Sequence, residues 1–205
     1  EVVFDSETSA TTTFEMPAKN VTVTAVFEYI YYTVTVNGGT AYTDGESAGS
    51  ITAEYGDFIN IVAEVPTGQR FVRWTSDSDE VVFDSETSAT TTFEMPAGDI
   101  TVTAVFEYID YNVTVNGGKA QVNDGVASAS VKAHYGEEVT ITAEVPVGKE
   151  FVMWSFDGLV PDGLTLTDAE LTFTMPTNAV TATAVFKDID YEVKVICDNT
   201  ETKIA

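Results

Sequence analysis

A single cysteine, Cys197, leaves the sequence without a disulfide framework or a cysteine metal cluster. Stability therefore has to come from packing, which suits either a reducing cytosol or an exported protein built without disulfides. A single histidine, His134, removes the multi-histidine metal sites, and its separation in sequence from Cys197 argues against a nucleophile–base pair. Only nine Lys and Arg stand against 33 Asp and Glu, for a formal charge of -24. Nucleic acid and anionic membrane surfaces need clustered cations and would be repelled by such a field. No run of 18 apolar residues appears, so no membrane insertion is expected in this segment. Nothing repeats with the 3.6-residue period of a helix over ten residues.

What is present is repetition. EVVFDSETSATTTFEMPA occupies residues 1–18 and returns letter for letter at 80–97; TVTAVFEYI at 22–30 returns at 101–109, and VTVNGG at 34–39 returns at 113–118. Self-similarity on this scale marks an array of small units. Successive copies begin at Tyr32, Tyr111 and Tyr191. Residues 32–110 and 111–190 are thus read as complete repeats, 1–31 as the C-terminal part of a preceding one, and 191–205 as the first strand of a following one. A unit of this length can hold one core of limited size. Acidity is spread along the array: fourteen Asp and Glu face two Arg over 31–110, and eleven face four Lys over 111–190. A uniformly acidic surface keeps a repetitive polymer soluble and discourages edge pairing between repeats.

Within a repeat the apolar residues alternate with period two. Tyr32, Val34 and Val36 share parity and end at Asn37-Gly38-Gly39; Ser50 to Tyr55 alternates and stops at Gly56-Asp57; Ile59, Ile61, Ala63 and Val65 form the clearest run, ended by Pro66 and Gly68. Phe71–Trp74, Thr91–Pro96 and Ile100–Phe106 complete about six short strands rich in Thr, Val, Tyr and Phe. Mainly β structure is predicted, as tandem small β-rich repeats joined end to end in a rod. At the junction the inward set of Val21, Val23, Ala25 and Phe27 is odd-numbered, whereas Tyr32, Val34 and Val36 are even. The chain must change faces between Glu28 and Tyr32 as it leaves one core for the next. Tyr29-Ile30-Tyr31, Tyr108-Ile109-Asp110 and Asp188-Ile189-Asp190 lack Gly, Pro and Ser, so short semi-rigid spacers are expected, with Ile and Tyr packed between units.

Candidate sites are few. Trp74 and Trp154, with Phe71 and Phe151, could stack on a sugar ring, but a lone Trp in a strand of so small a unit belongs to its core. Asp77, Asp79, Glu80, Asp84 and Glu86 cluster without the carboxylate spacing and central Gly of a calcium loop, and read as a solvated acidic segment. No acidic pair marks a cleft for glycoside hydrolysis. His134 alternates outward and is expected to be exposed. The repeat 32–110 contains no Lys, which excludes a lysine cross-link recurring in every unit. The reading assigns no catalytic, cofactor-binding or metal residues and no cofactor.

Taken in order, Gly-Gly, Tyr-Gly-Asp, Ala-Glu-Val-Pro-Thr-Gly (63–68), Phe-Val-Arg-Trp (71–74), Phe-Glu-Met-Pro-Ala (93–97) and Val-Thr-Ala-Val-Phe (102–106) resemble the divergent internalin B-type repeat of bacterial surface proteins. The resemblance covers both whole repeats and the partial ones. It implies a β-grasp-like module, for which a small β-sandwich is the alternative, in secreted or wall-attached proteins where such repeats act as stalks and adhesive spacers. The long acidic segment 75–90 and the lack of an evident helix depart from that pattern. A non-catalytic extracellular stalk is the leading expectation, with neighbouring repeats or copies of the same chain as partners. An adhesive module for glycan or host protein, using Tyr29, Tyr31 and Tyr42, is the alternative. Because the sequence opens and closes inside repeats, its ends are expected to continue into further repeats or to pair with neighbouring molecules by strand addition.

Overall fold

The computed structural model describes residues 2–43, 45–158 and 160–194, and every element among them is a strand or a turn. In the first unit the chain runs through β1 (Tyr31–Asn37), β2 (Gly39–Thr43), β3 (Glu46–Ala48), β4 (Ser50–Glu54), β5 (Phe58–Ala63), β6 (Gln69–Ser76), β7 (Thr90–Glu94) and β8 (Ile100–Tyr108). In the second it runs through β9 (Tyr111–Asn116), β10 (Gly118–Val122), β11 (Ser130–Ala133), β12 (Glu138–Ala143), β13 (Lys149–Asp157), β14 (Glu170–Thr174) and β15 (Val180–Asp188).

Each unit is built from two sheets. One has the order β4-β1-β8-β6, repeated as β11-β9-β15-β13; the other has β3-β2-β5-β7, repeated without a counterpart of β3 as β10-β12-β14. The first and last strands of a unit lie side by side in parallel, with Val34 opposite Ile100 and Val113 opposite Val180. All other pairings are antiparallel. A parallel pair needs a long crossover, and here nearly the whole unit supplies it. The alternation seen in the sequence sends one face of each sheet into a shared core. Val34, Val36, Ile51, Ala53, Trp74, Ile100 and Val102 come from the first sheet, and Ala41, Ile59, Ile61 and Phe93 from the second. This is the small sandwich rather than the β-grasp form of the expectation, because two sheets cover each other and no helix does so.

Two features exceed the sequence reading. The first unit has eight strands rather than about six, because β2 and β3 form within the Gly-rich stretch that reads as turns. In the second unit the corresponding loop, Val122 to Ser130, is one residue longer than Thr43 to Ser50. Asn123 there turns left-handed at φ 48°, and β3 is reduced to a single bridge between Ala120 and Ser128. The long strands β6 and β13 also carry bulges, between Phe71 and Arg73 and between Phe151 and Met153. A bulge shifts the inward parity by one, so Phe71 and Trp74 both reach the core side despite their odd spacing.

The face change at the junction is present. Ile100, Val102 and Ala104 are buried on β8, and Val113 and Val115 on β9. Residues 2–30 form no strand. They keep an isolated bridge between Phe4 and Phe14, while Val23, Val26 and Phe27 are exposed. The expected strand at 191–205 falls largely outside the described residues, and its described part, 191–194, has no strand assignment.

Candidate functional site

The sequence candidates separate cleanly. Trp74 and Trp154 are buried, packed against Phe71 and Phe151 at centroid distances of 5.5 and 5.6 Å, so neither ring is offered to a ligand. The Trp74 Nε1–H donates to the Ser88 carbonyl at 3.1 Å. Trp154 Nε1 has no such partner among the described residues. Asp77 accepts the Thr101 amide at 2.8 Å, and Asp84 accepts the Thr92 hydroxyl. Those two carboxylates therefore order the acidic segment rather than project from it. Among the described residues no three His, Cys, Asp or Glu side chains gather as a metal cage. Tyr29, Tyr31 and Tyr42 are exposed, but Tyr42 lies on β2 of the other sheet and the three form no common platform.

The side chains that do converge sit where the first unit meets the second. The Pro66–Gly68 turn and the end of β8 come from one side, and the segment after β11 from the other. The Ile109 amide donates to the Gly68 carbonyl at 2.9 Å, which fastens the spacer to the turn of its own unit. Gly68 adopts φ 77°, a conformation open to glycine. A Cβ placed on it would overlap the Tyr135 side chain of the second unit. The two units therefore touch through a glycine face. Its twin, Gly148 at φ 80°, has nothing among the described residues within 4 Å of that position, and its neighbour Val147 is exposed.

Around this contact the Tyr108 ring lies 5.0 Å from the His134 ring at a tilt of 31°. Asp110 accepts from Lys132 Nζ at 2.8 Å and sits 3.1 Å from His134 Nε2. Glu137 accepts the His134 amide at 2.7 Å and lies 3.6 Å from its Nδ1. The hydrogen bond from Lys132, then its charge, hold the Asp110 carboxyl below its ordinary range, with His134 adding in the same direction. The same pair raises Lys132. His134 is thus half-buried in the junction, which corrects the expectation of an outward, exposed residue. Alternation along β11 does aim it outward from its own core, but outward here means toward the neighbouring unit.

At the start of the first unit the same positions carry the opposite polarity. Tyr31 stands where Asp110 stands and faces Glu54, which stands where His134 stands. A hydrogen bond to Glu54, and then its charge, push the Tyr31 hydroxyl up. Donor and acceptor have changed places, while a polar pair bridges the strands at both sites. Tyr108 and Asp110 lie in the spacer the sequence places between units; the residues missed there are Gly68, Lys132, His134 and Tyr135.

Neither the comparison with curated proteins nor that with solved structures returned a match. Residues 1–31, 32–110 and 111–190 each match the family model described as the divergent InlB B-repeat domain, and the chain belongs to that family.

Proposed function

We propose that this chain is a non-catalytic stalk of an extracellular bacterial surface protein, an array that spaces or presents other domains. The observation carrying this reading is the junction. Two separate cores are linked by a spacer without Gly, Pro or Ser, and the Gly68–Tyr135 contact, the Tyr108–His134 stack and the Asp110 pairings all lie at that one place. Repeat arrays whose units touch only their neighbours advance by a fixed step. The titratable side chains that converge there are committed to one another, and family membership supports a surface module rather than an enzyme. Neighbouring repeats, or copies of the same chain, are the natural partners of the open glycine face at Gly148.

A unit of 80 residues has a radius of gyration near 12 Å, so each repeat should advance the array by about 30–40 Å. Small-angle scattering on arrays of two, four and six repeats tests this. Maximum dimension growing linearly with repeat number supports the stalk, and growth as the square root of repeat number overturns it. The adhesive reading has its own support in a groove on the first unit.

A further inference from the structure

One groove opens at the edge of the first core, and only its Tyr55 side falls on the face that Tyr135 uses at the junction of the second unit. It holds about 370 Å³ on the first unit, where Tyr55, Phe58 and Val82 form apolar walls and the carboxylates of Glu80, Asp84 and Glu94 share the lining. Phe58 and Glu94 are cross-strand partners on β5 and β7. Phe58 is 75% exposed and Val82 77%, an uncommon state for large apolar side chains packed beside one another.

Contact between repeats accounts for Tyr55, which stands where Tyr135 stands, but not for Phe58. In the second unit the residue corresponding to Phe58 is Glu138, which stays exposed although the preceding unit is seated against Tyr135. The corresponding region there has Thr174 in place of Glu94, and its own smaller groove carries one carboxylate, Asp162. Apart from Tyr55 and Phe58, the lining of the first groove also lies in a segment duplicated without change. Glu80, Val82, Asp84 and Glu94 all lie within the 18 residues that recur unchanged at 1–18.

We propose that this groove binds a lysine- or arginine-bearing segment of another protein. Three carboxylates with no basic residue in the lining set a negative potential, and the charge of -24 reinforces it. The exposed Phe58 ring offers a face to a cation, and Val82 offers a surface for its alkyl stem. A neutral sugar fits less well. Recognition of hydroxyls needs donors as well as acceptors, and apart from the Tyr55 hydroxyl the side chains lining this groove supply acceptors alone. This chain's nine scattered cations form no such basic segment, so the partner is a different protein.

The test is a titration of the full chain, followed by amide NMR shifts at physiological salt. The probes are a short alanine peptide carrying three lysines, its glutamine counterpart, and a neutral maltooligosaccharide. The lysine peptide should shift amides around Phe58, Val82 and Glu94, and the glutamine peptide should not. Phe58→Ser keeps the charge, and a polar residue already occupies the sister position, so the fold should tolerate it; it should weaken binding about two- to fivefold. Glu94→Gln should act in the same direction, while Asp124→Asn, in a turn of the second unit, should leave the affinity unchanged. Shifts spread over the whole acidic surface, with Phe58→Ser binding as the parent does, would reduce the effect to general charge attraction and overturn the proposal. So would the same amides answering to the maltooligosaccharide. The stalk reading is tested separately by scattering and survives either result.

Discussion

Residues 1–18 and 80–97 have the same sequence and different structures. Both form the same local hairpin: Phe4 packs edge-on against Phe14 at 5.6 Å as Phe83 does against Phe93 at 5.8 Å. In both, a threonine hydroxyl bonds an aspartate, and a serine amide bonds a threonine hydroxyl at 3.0 Å. Beyond this hairpin the copies part. Residues 90–94 form β7 because β5 lies alongside, whereas 11–15 have no such partner and form no strand. Met95 is fully buried and Met16 is 63% exposed; Val102 is fully buried and Val23 is 52% exposed. Side-chain hydrogen bonds over six to eight residues are written locally. Strand identity and burial depend on a partner brought from far along the chain.

The largest test of this contrast is a matched pair of truncations. Met95→Ala should destabilise the first unit by about 2–5 kcal/mol, and Trp74→Ala by about 3–5 kcal/mol. Met16→Ala, at the identical sequence position, should stay within about 0.5 kcal/mol of the parent. Chemical denaturation followed by the amide resonances of each unit would check all three, with the second unit persisting when the first is lost. Equal effects at Met16 and Met95 would mean that the N-terminal segment has a core of its own.

Next in size is the glycine pair. Gly68→Ala and Gly148→Ala both force a side chain into a left-handed conformation, at about 1–2 kcal/mol each. Only Gly68→Ala also pushes against Tyr135, so it alone should perturb the amide resonances around Tyr135. Identical spectral consequences for the two variants would remove the glycine contact from the junction.

The smallest effect concerns pH. Asp110 is held below its ordinary range, so its contribution is present above the unfolded carboxyl value near 3.8 and is lost as pH falls through the lowered folded value. Lys132 is raised, so its contribution is complete below the unfolded value near 10.5 and is lost as pH rises through the folded one. Both groups are exposed and the effect is small. Ring shifts at Tyr108 should therefore move with Asp110 at the acid end, and Asp110→Asn should abolish that step, whereas the His134 amide also faces Glu137.

The strands that alternate cleanly, β1, β4, β5 and β8, were legible because their inward residues are Val, Ile and Ala at every second position. Trp74 and Trp154 were legible as core because few other large side chains were available to fill a unit of this size. β2 and β3 were not, since Gly39 reads as a turn residue, and pairing of β2 with β5 and of β3 with β2 makes strands on either side of the Gly45 turn. The parallel pairing of Val34 with Ile100 lies beyond any local pattern. The junction was hidden for a related reason: His134 reads as outward-facing, and nothing nearby in sequence says that outward is toward Tyr108. The spacer Tyr108-Ile109-Asp110 was legible as lying between units, but not which residues of the next unit it meets.

Residual dipolar couplings for residues 32–108 and 111–188 in one weakly aligned sample test the junction most directly. If the Gly68–Tyr135 contact and the Tyr108–His134 stack hold the units in fixed relation, a single alignment tensor should fit both. Two tensors of different magnitude would mean that the units reorient independently, which would contradict a junction that acts as a spacer of fixed geometry.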